Sequence, residues 1–291
     1  MTPALYRLEL APGTRRWASG SIEDGPRVLL DPTWRLDQVL AGASSWAEAL
    51  EKAFAPSRVR RLPAGARTVA PIENQEVWAA GVTYQRSRDA RLEESGGEDA
   101  YDRVYRAARP ELFFKAAGWR VRGPDAEIGI RSDSAWNVPE PELAVVVGAD
   151  LSVLGFVLGD DVSSRSIEGE NVLYLPQAKV YDGSCALGPA IVPAAVASLP
   201  VQVSLTIERE GRTLFRGATL TDRMVRTFEE LAGWVGRALT FPVGLVLLTG
   251  TGIVPPSSMT LAPGDVVTVA GHGLGELRNR VANVPVRTTG A

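Results

Sequence analysis

Apolar residues along this chain recur with two spacings, every second residue as in strands or every three to four residues as in helices. The strand spacing dominates the C-terminal two thirds. Short apolar or alternating runs bounded by Gly, Pro and Asp predict strands. After residue 110 these runs are ELFFKA, ELAVVVGAD, LSVLGFVLG, VQVSLTIERE, TLFRGAT, VGLVLLTGTG and GDVVTVAG. One helix is predicted in this part, Arg226–Leu239, with apolar residues at helical spacing at Phe228, Leu231, Trp234 and Val235. The pattern therefore predicts a β-rich fold of the α+β class.

The first 68 residues alternate short strand-like pieces with one helix-like stretch. Ala4–Leu10 and Arg27–Leu30 have the strand pattern, and LDQVLAGASSWAEALEKAF has the helical one. A segment punctuated by proline follows, which places a domain boundary near Thr68. We therefore predict a small N-terminal α+β domain over residues 1–68, used for oligomer contacts or support, and a larger β-rich domain over residues 69–291.

Residues 84–109 interrupt the strand pattern. The segment YQRSRDARLEESGGEDAYDRVYRAAR is dense in Arg and Glu around a Gly pair, which predicts two polar helices joined by a flexible turn. A solvated surface hairpin and a mobile lid over a site both fit this composition.

Composition and charge exclude several classes of function. The chain has 291 residues, 45% hydrophobic, and its net charge of -3 arises from 31 basic and 34 acidic residues mixed along the sequence. No basic stripe indicates nucleic acid, no apolar run is long enough for a bilayer, and no signal pattern opens the chain. The single cysteine, Cys185, excludes an intrachain disulfide and fits a cytoplasmic protein. With one histidine, catalysis must rely mainly on carboxylates, lysines and hydroxyls.

Two glutamates stand at the start of an apolar strand in the stretch NVPEPELAVVVGAD. Because Glu140 and Glu142 are two residues apart, their side chains point to the same face of an extended strand. The neighbouring prolines cannot donate ladder hydrogen bonds, so this segment belongs at a strand start or a sheet edge. Adjacent carboxylates repel unless a cation lies between them, and hard oxygen ligands suit Mg²⁺, Mn²⁺ or Ca²⁺.

A second acidic pair and a lysine follow. The stretch LGDDVSSRSIEGEN places Asp160 and Asp161 at the end of the next strand, and Lys179 lies in the mostly uncharged run LYLPQAKVYDGSCALGP. Charges beside apolar strands are costly to bury without mutual compensation. Taken alone, Glu140 and Glu142 also fit two glutamates that simply face water. Together with the second acidic pair and Lys179, they favour a site for one divalent cation.

Four stretches resemble the signature motifs of the fumarylacetoacetate hydrolase superfamily, in their usual order: PEPELAVVVG, LGFVLGDDVSSRS, KVYDGSCALGP and LLTGTG. The resemblance covers roughly residues 70–285. It implies a mixed β-roll as the catalytic domain and assembly as a homodimer or homotetramer. It also implies a Mg²⁺ or Mn²⁺ site and a catalytic lysine, Lys179. The implied metal ligands are Glu140, Glu142 and Asp161, the acid directly before the Val-Ser pair.

The lid-side motif separates branches of this superfamily. Its hydrolases carry a histidine after an Asn-Tyr pair, and Ser87 stands at that position here, which disfavours hydrolysis of a carbon–carbon bond. The stretches RPELFFKA, SSRSIEGENVLYLPQAKVYDGSC and LLTGTGIVPP resemble instead the 2-keto-3-deoxy-D-arabinonate dehydratase branch. This resemblance implies that Glu111 works with Lys179, and that 2-keto-3-deoxy-D-arabinonate or -xylonate is converted to 2,5-dioxopentanoate with magnesium. Such an enzyme is a lyase of pentose oxidation.

The implied chemistry assigns roles to the site residues. A 2-keto acid chelates the cation, neutral Lys179 takes the C3 proton, and Glu111 assists departure of the C4 hydroxyl. The turn in LLTGTGIVPP offers the backbone of Gly250 and the hydroxyl of Thr251 to a substrate carboxylate or hydroxyl. Further candidates for contacting the sugar-acid hydroxyls are Tyr84, Arg86 and Ser87.

Two rival functions stay open at this point. An acylpyruvate-type hydrolase, a decarboxylase or an isomerase of the same superfamily would use the same metal site, but Ser87 and Glu111 argue against it. A structural Ca²⁺ clamp in a non-enzymatic β-domain would need neither Lys179 nor a lid. The preferred C4 stereochemistry and the division of proton transfers between Lys179 and Glu111 also stay open.

Overall fold

Strands make up most of the regular structure in the computed structural model, which describes residues 1–42, 45–55, 62–86, 89 and 100–285. In chain order the strands are β1 (Pro3–Ala11), β2 (Thr14–Ser21), β3 (Gly25–Leu29), β4 (Arg67–Val69), β5 (Glu76–Gly81), β6 (Glu111–Ala117), β7 (Glu127–Arg131), β8 (Asn137–Val138), β9 (Pro141–Val147), β10 (Val153–Asp161), β11 (Ser163–Ser164), β12 (Cys185–Pro193), β13 (Gln202–Arg209), β14 (Arg212–Leu220), β15 (Leu245–Leu248), β16 (Val266–Gly271) and β17 (Gly275–Val284). The described helices are α1 (Leu36–Leu40), α2 (Trp46–Phe54), α3 (Ala100–Arg106), α4 (Arg165–Glu170), α5 (Leu175–Lys179) and α6 (Phe228–Val235).

The strands form two main sheets. The larger has the order β3–β2–β1–β12–β10–β9–β15–β5–β6, with β4 also paired to β1, and the smaller has the order β14–β13–β16–β17–β7. Most neighbours are antiparallel, whereas β15 runs parallel to β5 and β17 runs parallel to β7. These mixed sheets confirm the β-rich α+β fold predicted from the sequence.

Strand β9 shows how the layers pack. Leu143, Val145 and Val147 belong to the core shared with the smaller sheet, whereas Ala144 and Val146 belong to a second core that includes residues of α1 and α2. Both faces of the strand are therefore buried, which explains why its apolar run has no polar alternation. This packing fixes the strand, and with it the position of the glutamates at its start.

The N-terminal strands extend the larger sheet. Leu5 of β1 pairs with Ile191 of β12, and Arg7 pairs with Val69 of β4. The boundary predicted near Thr68 falls within β4, so the larger sheet is continuous across it. Division of the chain into two domains stays a prediction.

The helices differ in part from those expected. The helix predicted over residues 226–239 is observed as α6, whose N-terminus is capped by the Thr227 hydroxyl accepting from the Glu230 amide at 3.1 Å. Helices α4 and α5 were not predicted, because at six and five residues they are too short to show a helical period. Among the described helices, none has the length and apolar character needed to span a membrane.

The predicted lid is described only in part. Residues 87, 88 and 90–99 lie outside the described residues, and Ser87 is one of them. Helix α3 lies in the second half of the segment. Arg226, just before α6, donates to the carbonyl of Ala107 at 2.6 Å and so ties the end of this segment to α6. Movement of the segment as a lid stays a prediction.

Candidate active site at one end of the larger sheet

At one end of the larger sheet, the first residues of some strands lie beside the last residues of their neighbours. Strand β9 begins where β10 ends, with Glu142 opposite Gly159, and β6 begins where β5 ends, with Glu111 opposite Gly81. A small pocket lies there. Its charged lining residues are Glu111, Glu140, Glu142, Asp161, Glu168 and Lys179, and the turn residues Gly250 and Thr251 also line it. The fold therefore brings together residues that are far apart in the sequence.

Three buried carboxylates form a cluster in this pocket. Glu140, Glu142 and Asp161 each offer an oxygen, and these oxygens lie within 4.8 Å of one another. Burial, together with the carboxylates of Asp161 and Glu140, raises the pKa of Glu142 well above its usual value. A divalent cation among the three oxygens would offset this repulsion, and a set of hard oxygen donors suits Mg²⁺. The residues present therefore fit a metal, and we call them the metal cage.

The two adjacent aspartates have different tasks. Side chains of consecutive strand residues leave opposite faces, so Asp160 and Asp161 diverge. Asp160 Oδ1 accepts a hydrogen bond from the backbone amide of Glu140 at 2.9 Å, whereas Asp161 contributes to the metal cage. Burial and the neighbouring Asp161 raise the pKa of Asp160 to about 7. Asp160 therefore holds the backbone that carries a cage residue.

Lys179, the last residue of α5, lies directly against the metal cage. Its Nζ donates to Glu140 Oε2 at 2.8 Å, to Asp161 Oδ2 at 3.0 Å and to Ser163 Oγ at 2.6 Å. The side chain is buried, and the Phe113 ring lies 5.6 Å from Nζ. The amine is thus next to any ligand that a cation in the cage would bind.

A second lysine, Lys115 of β6, lies behind the metal cage. Its Nζ forms an ion pair with Asp161 Oδ1 and donates to the carbonyls of Lys179 at 2.5 Å and Val162 at 3.1 Å. Lys115 had no predicted role, since a lysine within an apolar strand gives no indication of its partners.

Arg165 and Glu168 on α4 are charged site residues that the sequence analysis missed. Arg165 Nη2 lies 3.3 Å from Glu140 Oε1, and Arg165 Nη1 lies 3.7 Å from Glu168 Oε2. Both side chains are buried, and Glu168 lines the pocket. The signal that could have found them is the i, i+3 spacing of opposite charges just after Asp161.

Glu111 lies at the other side of the pocket, at the start of β6. Its carboxylate packs over Gly81, where an added Cβ would stand 2.1 Å from Glu111 Oε2. The side chain is half-buried and lines the same pocket as Lys179. The two residues predicted to move protons therefore share one pocket with the metal cage.

The five residues predicted to contact substrate do not all lie in the pocket, although Gly250 and Thr251 line it. The Gly250 amide donates to Glu142 Oε2 at 2.6 Å, and the Thr251 hydroxyl accepts from the Ile253 amide at 3.2 Å. The Gly250 amide therefore orients a cage residue. Tyr84 is buried and Arg86 is exposed, and neither is among the described residues that line the pocket, while Ser87 lies outside the described part of the chain. Contacts of all five residues with substrate stay predictions.

Two sequence relatives at more than 40% identity are dehydratases. The family model described as fumarylacetoacetate (FAA) hydrolase C-terminal matches residues 76–282. The chain is 49% identical over 216 residues to the "Probable 2-keto-3-deoxyxylonate dehydratase" of Haloferax volcanii, across 74% of each chain. It is 42% identical over 217 residues to the 2-dehydro-3-deoxy-D-arabinonate dehydratase of Saccharolobus solfataricus, across 72% of this chain and 73% of the relative.

Solved structures agree with these relatives. A 2-keto-3-deoxyarabinonate dehydratase in a hexagonal crystal form has a TM-score of 0.83 and 34% identity, covering 97% of this chain and 100% of that one. A 2-keto-3-deoxy-D-arabinonate dehydratase complexed with magnesium and 2,5-dioxopentanoate has a TM-score of 0.81 and 33% identity over the same shares. Similarity therefore extends over the N-terminal part as well.

Proposed function

The chain belongs to the fumarylacetoacetate hydrolase family, and we propose that it is a magnesium-dependent dehydratase of 2-keto-3-deoxypentonates. The reaction converts 2-keto-3-deoxy-D-arabinonate or -xylonate to 2,5-dioxopentanoate and water. The observation that carries this proposal is one pocket that holds three clustered carboxylates, Lys179 and Glu111. The dehydratases at 49% and 42% identity support the same reaction.

Glu140, Glu142 and Asp161 would hold the cation. Magnesium is proposed because these donors are hard oxygens and because a related dehydratase is complexed with magnesium, with Mn²⁺ or Ca²⁺ as substitutes. When bound, the metal supplies Lewis-acid polarisation of the substrate's keto group. Arg165 supports the metal cage from outside, since it contacts Glu140 Oε1 at 3.3 Å.

Lys179 and Glu111 would move the protons. Lys179 Nζ accepts the proton from C3, the acidic position beside the keto group, and Glu111 protonates the C4 hydroxyl as it leaves as water. A proton then leaves C5 as another returns to C3. The resulting C4–C5 enol gains a proton at C4 and loses its hydroxyl proton, which gives the C5 aldehyde. The position of Glu111 supports its role, because it lines the same pocket as Lys179 and the metal cage.

The state of the protein in the cell belongs to the same proposal. A homodimer or homotetramer is supported by three consecutive exposed apolar side chains, Val172, Leu173 and Tyr174. Light scattering coupled to size exclusion tests this, and a monomer would contradict it. The substrate is a small 2-keto acid, and a cytoplasmic location stays a prediction.

The direct test is a product assay. Purified protein is incubated with Mg²⁺ and each C4 enantiomer of 2-keto-3-deoxypentonate, and 2,5-dioxopentanoate is followed by NMR. We expect the aldehyde with at least one enantiomer and no reaction after the metal is removed with EDTA. Acylpyruvates are tested in parallel. Release of pyruvate from them without dehydration would support the hydrolase instead, and inertness toward both would contradict any enzyme of this class.

A further inference from the structure

Lys115 is a charged residue inside the protein that the proposed mechanism leaves unused. Its side chain is 0% exposed, and it lies on β6 four residues after Glu111. Burial of an ammonium group is costly unless its donors meet acceptors or carboxylates. The partners of Lys115 therefore indicate what its charge is for.

Three oxygens surround the Lys115 ammonium, and they come from the two elements that build the site. One is Asp161 Oδ1 of the metal cage, and one is the Val162 carbonyl, at 3.1 Å. The third is the backbone carbonyl of Lys179, at 2.5 Å. One ammonium group thus joins a cage residue to the main chain of the residue that carries the base.

We propose that Lys115 is a positioning residue that sets the distance between the metal cage and the Lys179 amine. This inference rests on the proposed function. Asp161 Oδ1 faces Lys115, while Asp161 Oδ2 accepts from Lys179 Nζ at 3.0 Å. Rotation of the carboxylate would break both contacts. Lys115 therefore keeps Asp161 in one orientation and holds the end of α5 at a defined distance from it.

The residue type at this position fits such a role. Only three of the 31 basic residues are lysines, and two of them, Lys115 and Lys179, meet at this site. An ammonium is compact and has three donors that diverge, so it can satisfy three oxygens that approach from different directions. The planar guanidinium of arginine, the common basic residue of this chain, cannot match that arrangement in a fully buried space.

The test uses two variants of Lys115 and one matched control. Lys115→Met keeps the length and apolar stem without the charge, and Lys115→Gln keeps N–H donors without the charge. The control is Arg209→Met, which breaks an ion pair to another fully buried carboxylate, Asp265, held at 2.7 Å on the smaller sheet. Folding is checked by circular dichroism and thermal melting. Mn²⁺ affinity is measured by calorimetry without substrate, and kcat and KM are measured at saturating Mg²⁺.

We expect folded Lys115→Met to lose about tenfold in Mn²⁺ affinity and about 10- to 100-fold in kcat, as for other residues that orient metal ligands. The loss in kcat should persist at saturating Mg²⁺ while KM changes little, because the base stays displaced from a bound substrate. Arg209→Met should keep wild-type values of kcat and of Mn²⁺ affinity.

Other results would overturn the proposal. Full recovery of kcat at saturating Mg²⁺ would mean that Lys115 only retains metal, and unchanged affinity and kcat would mean that it only fills space. If Lys115→Met and Lys115→Gln both fail to fold while Arg209→Met folds, the role is structural. A wild-type protein that dehydrates no 2-keto-3-deoxypentonate would instead contradict the proposed function, and Mn²⁺ affinity would still report on Lys115.

Discussion

The carboxylate of Glu111 lies directly over Gly81, its partner across β5 and β6. A Cβ at residue 81 would stand 2.1 Å from Glu111 Oε2 and 2.6 Å from Glu111 Cδ. The backbone of Gly81 does not have a positive φ, so the glycine is not needed for its conformation. It is needed because the space above it is occupied by a carboxylate that we propose as the general acid.

Gly81→Ala should therefore separate activity from stability. The new methyl group displaces Glu111, whose flexible side chain can swing away, so the melting temperature should change little. We expect kcat to fall about 100-fold, the scale of a misplaced catalytic group. Gly233→Ala on α6 is the control, because a Cβ there has nothing within 4 Å. Wild-type kcat in Gly81→Ala would argue against Glu111 as an acid.

Lys179→Met should abolish turnover without weakening the metal site. We expect kcat to fall about 1,000-fold, as for loss of a general base. Mn²⁺ affinity should hold or increase, because Lys179 Nζ donates to oxygens of Glu140 and Asp161 that a cation would also use. Calorimetry and product assays measure the two effects, with Lys52→Met, an exposed lysine, as control. Loss of metal affinity together with activity would indicate a structural lysine.

Metal affinity should rise with pH above the usual glutamate value of 4.5. Because burial and the neighbouring carboxylates raise the pKa of Glu142, protons compete with the cation over that range. Binding of Mn²⁺ should therefore release protons, which calorimetry in buffers of different ionisation enthalpy detects. Glu142→Gln should bind Mn²⁺ more weakly and with less dependence on pH. Affinity that stays constant from about pH 5 to about pH 8 would contradict this electrostatic account.

Asp160→Asn should stabilise the metal-free protein in mildly alkaline solution. The folded-state pKa of Asp160 is raised to about 7 from 3.8, so the protonated acid favours folding at low pH and this contribution is lost as pH rises to about 7. Asparagine remains neutral, and its oxygen can still accept from the Glu140 amide. We expect the free energy of unfolding to increase by about 2 kcal/mol at pH 8. This is less than the full pKa shift of Asp160 implies, because the new amide group needs an acceptor for its own hydrogen bonds.

Urea unfolding at about pH 5 and about pH 8 measures this difference. The comparison variant is Asp150→Asn, since hydrogen bonds from Ser152 lower the pKa of Asp150 and its ionised form is the favoured one. Asp150→Asn should therefore gain nothing at pH 8. A gain for Asp160→Asn that is equal at both pH values would mean that its origin is not ionisation.

The residues themselves indicated a divalent-cation site near Glu140, Glu142 and the Asp160–Asp161 pair, and the family resemblance selected Asp161. The site was recognisable because its carboxylates lie at the ends of two consecutive strands. Glu140 and Glu142 stand at the start of one strand and Asp161 stands at the end of the next, and antiparallel neighbours bring a strand's start beside its neighbour's end. The pairing of Glu142 with Gly159 realises that arrangement. The motifs around these residues also identified the family and the dehydratase branch, and the comparisons confirm both.

Only the tertiary structure decided how the surrounding charges are used. Lys115 meets Lys179 across 64 positions of sequence, and the Gly250 amide meets Glu142 across 108. Neither contact produces a periodic pattern in the sequence, because each depends on which strands become neighbours in the larger sheet. Arg165 and Glu168 were missed for a related reason, since a helix of six residues makes fewer than two turns. Residue type and spacing determine what a local segment can bind, whereas the partner of a buried charge is set by long-range packing.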